Sequence, residues 1–283
     1  MTTLVILAAG LATRYGGAKQ LEAVGPRGET LLDFALFDAR LAGCTRAVFV
    51  IREQLREAFE RGVLPRWAGE LETSLAVQRV EDAPPEYRGN RTKPWGTAHA
   101  LLAAVPYTVG DVLVCNADDF YGRGAYLAIA AALRDSPGAH AVAGYPLEST
   151  LSPHGGVSRA VCAHDGAGRL TRVEERTGIV RSGAAIVADR GDVLPRDTLV
   201  SMNLWAFRPD FLRELDDAFS EFVRGRGADP KEELRIPDVV NEYVAAGRGE
   251  VLVVPVRERW FGMTYPEDRE LVRAELASLA ADY

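Results

Sequence analysis

The chain has 283 residues, and its 40 Asp and Glu residues outnumber its 33 Lys and Arg residues, for a formal net charge of -7. Hydrophobic residues make up 47% and charged residues 26% of the sequence, which is typical of a globular protein and excludes a disordered or collagen-like chain. The acidic balance argues against a nucleic-acid partner bound through broad neutralisation of phosphates. No segment approaches the roughly 18 consecutive apolar residues of a membrane span, so no membrane partner is predicted.

The cysteines and the first residues indicate the compartment. Cys44, Cys115 and Cys162 are odd in number and lie far apart in apolar contexts, which favours reduced core thiols over disulfides or a metal site. The apolar run from Thr3 to Ala9 is short and lacks the basic start and cleavage site of a signal peptide, so it predicts a buried strand. We therefore expect a cytoplasmic protein.

The first half of the chain alternates short apolar runs with segments that carry apolar residues at helical spacing. Strands are predicted at Leu4–Ala8, Ala47–Ile51, Leu75–Gln78, Val112–Cys115 and Ala141–Gly144. Helices are predicted at Leu31–Leu41, Glu53–Glu60, Ala98–Val105 and Tyr126–Arg134. Because strands and helices in strict alternation build right-handed βαβ units, we expect an α/β fold with a parallel sheet.

The pattern changes after Gly144. Strand-like segments now lie between loops rich in Gly and Arg, at Val157–Cys162, Leu170–Glu174 and Leu199–Phe207. They predict a smaller antiparallel lobe over one end of the sheet, where open α/β folds bind their ligands. Helices that begin near a proline follow at Pro209–Arg224, Pro237–Ala246 and Pro266–Ala280. Since no repeat or linker separates these parts, one continuous domain is expected over residues 1–283.

The loop after the first predicted strand carries the strongest chemical signal. It runs from Leu7 to Gln20 and holds three glycines, Arg14 and Lys19 among small residues. Small residues let the backbone approach a ligand and present N–H groups to anionic oxygens, which suggests a cradle for a triphosphate. The pattern is neither a P-loop nor the dinucleotide motif G-x-G-x-x-G.

This loop resembles that of the sugar-1-phosphate nucleotidyltransferases, or NDP-sugar pyrophosphorylases, and the resemblance extends over essentially the whole chain. It implies the Rossmann-like fold of that family, a mostly parallel sheet flanked by helices with an antiparallel lid. Residues 1–145 would form the nucleotide-binding half, 146–208 the lid and sugar-binding portion, and 209–283 the C-terminal helices and closing strand. The matched positions imply catalytic roles for Arg14 and Lys19 on the nucleotide phosphates. They also imply nucleotide binding by Leu7, Ala8, Ala9 and Gly10.

A second motif runs from Lys93 to His99. Gly96 and Thr97 resemble the family's Gly-Thr-Ala segment, whose glycine reads the nucleotide base, and Gln78 is similar to the family glutamine that pairs with a pyrimidine. This resemblance favours UTP or dTTP. Taken without it, Gly96 and Thr97 would be a plain helix start, Gln78 an edge polar residue, and His99 a helix-face residue.

Two adjacent carboxylates, Asp118 and Asp119, follow the strand that ends near Cys115. Hard oxygen ligands at that end of a parallel sheet suit a Mg²⁺ ion that bridges phosphates. The family's Gly-Asp motif assigns the metal to Asp118, which leaves Asp119 to cap the next helix or to support the site. The family's second metal-binding aspartate falls at Gly262, so either phosphates and water complete the magnesium shell or Asp119 moves in.

The predicted lid matches the family's sugar-binding positions at Gly156, Glu174 and Asn203. In the segment Val173-Glu174-Glu175-Arg176, Glu175 stands where the family has a lysine. Arg176 is the candidate replacement for that lysine. Asn203 could also satisfy a buried backbone group inside an apolar strand.

The resemblance implies that a sugar 1-phosphate oxygen attacks the α-phosphorus of a nucleoside triphosphate, with Mg²⁺, to give an NDP-sugar and pyrophosphate. A phosphate monoester with a second pKa of about 6 needs no side-chain base at neutral pH, so catalysis would consist of positioning and charge neutralisation. Two alternatives are a glycosyltransferase of related fold and a catalytically silent nucleotide-sugar-binding protein. The family forms monomers, dimers and tetramers, so the sequence is compatible with a homo-oligomer.

Overall fold

A computed structural model describes residues 1–10, 19–152, 154–189, 191–263, 268–279 and 283, without the side chain of Lys19. Among these residues, eleven strands form one mixed sheet and two form a small separate sheet. The strands are β1 (Thr2–Leu7), β2 (Cys44–Ile51), β3 (Glu72–Val77), β4 (Asp111–Asn116), β5 (Asp119–Phe120), β6 (Ala139–Pro146), β7 (Val157–His164), β8 (Leu170–Ser182), β9 (Ala185–Val187), β10 (Val193–Leu194), β11 (Leu199–Phe207), β12 (Glu250–Pro255) and β13 (Phe261–Gly262).

Helices cover both faces of the large sheet. The α-helices are α1 (Leu31–Leu41), α2 (Arg56–Gly62), α3 (Leu64–Trp67), α4 (Pro85–Arg88), α5 (Thr97–Ala104), α6 (Arg123–Asp135), α7 (Pro209–Arg226), α8 (Ile236–Ala245) and α9 (Asp268–Ser278). Short 3₁₀ turns lie at Lys19–Leu21, Glu53–Leu55, Val80–Asp82, Val105–Tyr107 and Leu147–Thr150. None of the helices in the described ranges is long and apolar enough to cross a membrane.

The parallel core of the sheet has the order β3-β2-β1-β4. β1, β2 and β4 are buried on both faces. Alternate residues of β1 enter different cores: Leu4 and Ile6 pack with α1 and α6, whereas Val5 and Leu7 pack with α5, α7 and α8. This two-sided burial explains why β1 is apolar at nearly every position. The predicted α/β fold, with a mostly parallel sheet flanked by helices, is confirmed.

β11 joins the parallel core to the antiparallel lobe. Its C-terminal half pairs with β4 and β6, and its N-terminal half pairs with β6 and β7, in each case antiparallel. The pairing shifts between Ser201 and Trp205, where Asn203 adopts a φ of 68°. A bulge of this kind bends a strand and re-aims its side chains. The lid strands β7 to β10 therefore continue the central sheet.

The three cysteines lie in the core, as the sequence predicts. Cys44, Cys115 and Cys162 are buried free thiols. Burial raises the pKa of each thiol to about 12, so all three stay protonated at neutral pH.

Candidate active site

A cavity of about 440 Å³ lies beyond the C-terminal ends of β1 and β4. Parallel strands end at a common edge of their sheet, and this edge is where open α/β folds bind ligands. Its walls include these residues expected from the sequence: Leu7, Ala9, Gly10, Gln78, Gly96, Thr97 and Asp118. We call this space the first cavity. The sheet brings together residues that the sequence keeps more than a hundred positions apart.

Ala8 does not line the first cavity. Its N–H donates to the Val50 carbonyl at 2.8 Å, and its own carbonyl accepts from the Gln20 side-chain amide at 3.2 Å. Successive residues of an extended segment face opposite sides. Leu7 and Ala9 therefore face the side of the cavity, and Ala8 packs into the other core.

Gly96 shapes one wall of the first cavity and precedes α5. Its φ of 108° lies in the region that favours glycine, and a Cβ at this position would overlap the backbone of Leu234. Leu234 is held there because its N–H donates to the Trp95 carbonyl at 2.8 Å and its carbonyl accepts from Ala98 at 3.1 Å. The Thr97 hydroxyl accepts the N–H of Ile236 at 3.0 Å. The start of α5 is therefore bonded to the segment that enters α8.

Side-chain amides connect the end of β4 with the middle of β11. Asn116 donates to Asp119 Oδ2 at 2.8 Å, and the Tyr121 hydroxyl donates to the same oxygen at 3.1 Å. Asn203 Nδ2 donates to Asn116 Oδ1 at 2.7 Å, and Asn203 Oδ1 accepts from the Trp205 indole at 2.8 Å. Each amide is thus oriented by its neighbours. The left-handed backbone at Asn203 turns its side chain into this network.

Asp119 does not cap α6, contrary to one of its two expected roles. The N-cap of α6 is Gly122, and Asp119 instead lies in β5, where it pairs with Gly262 of β13. A Cβ built on Gly262 would overlap the Asp119 carboxylate. The carboxylate of Asp119, whose residue is only 8% exposed, occupies the space that a side chain at position 262 would need.

A second cavity of about 350 Å³ shares Thr97, Asn116, Asp118 and Glu233 with the first. Its further charged and polar walls come from β5, from β7, β8 and β11, and from the loop before α8. They include Asp119, Ser158, Arg159, Glu175, Asn203 and Arg235. The two cavities meet at Asp118. This geometry suits two ligands that react with each other beside one carboxylate.

Arg159 forms the floor of the second cavity beside Trp260. Its guanidinium carbon lies 4.9 Å from the centre of the Trp260 ring, and it donates to the Thr150 and Ser158 carbonyls. Burial lowers the pKa of Arg159 to about 10, while Asp119 and Glu175 oppose that shift. The side chain therefore remains a cation at neutral pH.

The lid strand β8 presents Glu175, not Glu174, to the second cavity. Glu174 lies outside the cavity, where it pairs with Arg176 at 3.3 Å and with Arg172 at 3.8 Å. Arg176 also pairs with Asp192 at 2.8 Å and does not line the cavity. Burial raises the pKa of Glu175 although Arg235 and Arg159 oppose it. Adjacent residues of a strand face opposite sides, so only one of the two neighbouring glutamates can line this cavity.

Gly156 lines a neighbouring third cavity of about 440 Å³, which shares Ser158, Arg159 and Trp260 with the second. Asn203 lies in the second cavity itself. Of the three residues that the sequence predicts for sugar binding, the structure therefore places one in the second cavity and the other two beside it. Sequence reasoning missed Arg159 and Arg235, because neither belongs to a recognisable motif. Only the pairing of distant strands and the position of α8 bring them to the second cavity.

The two expected cationic residues of the Gly-rich loop lie outside the described part of the structure. Arg14 falls within residues 11–18, and for Lys19 only the backbone, at the start of a 3₁₀ turn, is described. Gly10, the last described residue before them, lines the first cavity. The catalytic roles of Arg14 and Lys19 stay predictions.

Sequence comparison identifies the family. Residues 4–180, more than half of the chain, match the MobA-like NTP transferase domain. The chain belongs to this family. The matched range of this NTP transferase covers the first cavity except Glu233, together with β7 and most of β8 in the lid. No curated protein has a matching sequence.

Solved structures share the fold of this NTP transferase over almost its full length. The inositol-1-phosphate CTP transferase from T. maritima superposes with a TM-score of 0.65 at 15% identity, over 98% of this chain and 96% of that one. A Bacillus anthracis protein named as a glucose-1-phosphate thymidylyltransferase, in complex with a sucrose, has a TM-score of 0.65 at 13% identity, over 98% and 95%. The expected likeness to sugar-1-phosphate nucleotidyltransferases is confirmed at the level of the fold.

The close approach at Gly96 predicts an unusual sensitivity to a single methyl group. Gly96→Ala should lower the free energy of unfolding by clearly more than Gly69→Ala, measured by urea denaturation. Gly69 is a matched control because its φ is 91° but a Cβ there would meet nothing within 4 Å. The control should cost only the positive-φ penalty of about 1–2 kcal/mol. Equal losses in the two variants would contradict the steric role of Leu234.

Proposed function

We propose that this NTP transferase joins a nucleoside triphosphate, with UTP or dTTP as the first expectation, to a sugar 1-phosphate or a similar polyol phosphate, releasing pyrophosphate. The observation that carries this proposal is the pair of cavities that meet at Asp118. The first ends at Gln78 and Gly96, which suit a base, and the second ends in charged and amide side chains, which suit a phosphorylated polyol.

The reaction needs positioning more than acid–base chemistry. The phosphate of the acceptor, largely dianionic at neutral pH because its second pKa is about 6, attacks the α-phosphorus in line and expels pyrophosphate. Arg14 and Lys19 would neutralise the triphosphate from the loop that follows Gly10, and Arg235 would attract the incoming phosphate. The role of this chain is to hold the two anions together and to exclude water.

A divalent cation fits the residues between the cavities. Asp118 and Asp119 both line the second cavity, and Asp119 occupies the space at Gly262 where the family carries its second metal-binding aspartate. Magnesium takes few protein carboxylates and keeps several waters, so two aspartates and the substrate phosphates suffice. When bound, the ion would neutralise charge on the phosphate oxygens. We propose Asp118 and Asp119 as its ligands.

The second cavity favours a polyol over a cationic acceptor. A quaternary ammonium group binds best over the face of an aromatic ring. Here the Arg159 guanidinium already covers the ring of Trp260. Glu175 and Asn203 offer oxygen acceptors for hydroxyl groups, and Arg159 and Arg235 offer positive charge for a phosphate. A sugar or cyclitol phosphate matches this distribution.

The first test is the release of pyrophosphate. The protein should release it when incubated with Mg²⁺, a nucleoside triphosphate and a sugar or cyclitol phosphate, fastest with UTP or dTTP, and EDTA should abolish the reaction. Nucleotide binding without pyrophosphate release over a broad panel would instead indicate a silent nucleotide-sugar-binding protein. Consumption of an NDP-sugar with transfer to a second acceptor would indicate a glycosyltransferase.

Exchange of the carboxylate between positions 119 and 262 tests the metal ligands. Asp119→Asn should weaken Mn²⁺ binding in the presence of nucleotide by about tenfold or more, measured by electron paramagnetic resonance, because the loss of a charged ligand costs 1–3 kcal/mol or more. In the double variant Asp119→Ala/Gly262→Asp, the carboxylate returns from the facing strand, and Mn²⁺ affinity should recover. Unchanged affinity in Asp119→Asn would exclude Asp119 as a ligand.

The neighbouring glutamates provide a matched pair for the acceptor site. Glu175→Gln should raise the KM for the acceptor by about tenfold, because one acceptor of a charge-assisted hydrogen bond is worth roughly 1.5–3 kcal/mol, and should leave the KM for the nucleotide nearly unchanged. Glu174→Gln removes the same charge from a partly buried ion pair and should change neither constant by more than about twofold, because Glu174 lines neither cavity. Equal effects at the two positions would contradict this assignment.

A further inference from the structure

His99 lies directly behind the wall of the first cavity that holds Gln78. Its residue is only 2% exposed, and its ring stacks on Phe219 with 4.3 Å between centroids and 27° between planes. Its two ring nitrogens face different polar groups: Nδ1 lies 3.1 Å from Gln78 Nε2, and Nε2 lies 3.4 Å from an oxygen of Asp82. The sequence predicted only a helix-face residue here, and the structure shows a buried link between Asp82 and Gln78.

The orientation of the Gln78 amide follows from its other neighbour. The Gly96 carbonyl lies 2.9 Å from Nε2 of Gln78, and a carbonyl oxygen there requires a donor. The amide nitrogen must therefore occupy this place. An amide nitrogen carries two hydrogens, and the second is taken up when Nδ1 of His99 accepts it. Gln78, which is 6% exposed and lines the cavity, is then left with its carbonyl oxygen for a ligand.

The hydrogen-bonding role of Nδ1 is set from the far side of the ring. A neutral imidazole that accepts at Nδ1 carries its hydrogen on Nε2, and this nitrogen faces the Asp82 carboxylate. Partial burial raises the pKa of Asp82, but hydrogen bonds from His99 and from the Arg79 backbone outweigh it, and the pKa is lowered overall. Asp82 therefore stays ionised and holds the hydrogen of His99 on Nε2.

We propose that Asp82 and His99 position Gln78 so that it offers only a hydrogen-bond acceptor to the base, which makes His99 a positioning residue for nucleotide selection. This inference rests on the proposed function, since it takes the base to lie beside Gln78 and Gly96. With a uracil or thymine, N3–H donates to the Gln78 oxygen and O4 accepts from the Gly96 backbone. A cytosine in the same register presents a lone pair to that oxygen and an amino group to that N–H, and both contacts are repulsive.

Without the acceptor at His99, Gln78 would keep only one of its two orienting contacts, the one with the Gly96 carbonyl, so the rotated amide would be populated more than in the wild type. Rotation would turn Nε2 towards a cytosine N3, so the protein would lose discrimination between the two pyrimidines more than affinity as such. If His99 had a purely structural role, its replacement would instead weaken the binding of all nucleotides to the same extent. The ratio of the dissociation constants for CTP and UTP therefore separates the two roles.

The experiment measures binding of UTP, dTTP and CTP by isothermal titration calorimetry, with thermal unfolding for each variant. His99→Phe keeps the stacking on Phe219 but removes Nδ1, and the CTP to UTP ratio should fall by about five- to tenfold, the loss expected for one hydrogen bond. His99→Asn, whose Oδ1 can accept near the place of Nδ1, should retain most of the ratio. Phe219→Leu is the control, since it removes stacking and leaves the hydrogen bonds, and its ratio should not change.

The outcomes separate this inference from the proposed function. If the protein binds none of the three nucleotides and releases no pyrophosphate, the proposed function fails. If it binds UTP and CTP equally well, the proposed function stands and the positioning role is overturned. An unchanged ratio in a folded His99→Phe variant would also overturn it. Should that variant not fold, Asp82→Asn tests the same link from the Nε2 side of the His99 ring. It must reduce the ratio of the CTP and UTP dissociation constants, and an unchanged ratio in Asp82→Asn would overturn the inference.

Discussion

The close contact between the backbones of Gly96 and Leu234 is the constraint on which both cavities depend. Two backbone hydrogen bonds, one donated by the Leu234 N–H and one accepted by its carbonyl, hold Leu234 against the start of α5. Gly96 has no side chain to prevent this approach. The same contact sets the Gly96 carbonyl against Gln78 and delivers Glu233 and Arg235 to the cavity walls. A part of the chain near residue 234 thus completes a site that begins at residue 7.

A second constraint operates where the parallel core meets the lid. β11 must pair with β4 at one end and with β7 at the other, and the shift in pairing at Asn203 allows one strand to do both. Because the Asn203 amide donates to Asn116, the second cavity and the end of β4 beside Asp118 and Asp119 share one hydrogen-bond network. Any displacement of β11 at Asn203 would therefore shift Asn116 and the Asp119 carboxylate that Asn116 contacts.

Two departures of this chain from the expected family pattern lie beside residues that the proposed function assigns to the same roles. Gly262 lacks the family's carboxylate, and Asp119 on the facing strand occupies the space this creates. Arg176, the expected replacement for the family lysine, is paired outside the second cavity, whereas Arg159 and Arg235 line it. Under the proposed function, such exchanges would keep the chemistry of the site while they change the strand that supplies it.

The sequence by itself determined the features that depend on local pattern and on sheet geometry. The apolar runs predict the parallel strands because both faces are buried, α1 is found at the predicted Leu31–Leu41, and Asp118 had to lie at the ligand-binding edge. The tertiary structure decided what depends on long-range pairing: that β8 presents Glu175 instead of Glu174, that Asp119 faces Gly262, and that His99 holds Gln78 from behind. No local pattern encodes these choices, because the face of a strand and the neighbour of a buried ring are set only when distant segments pack together.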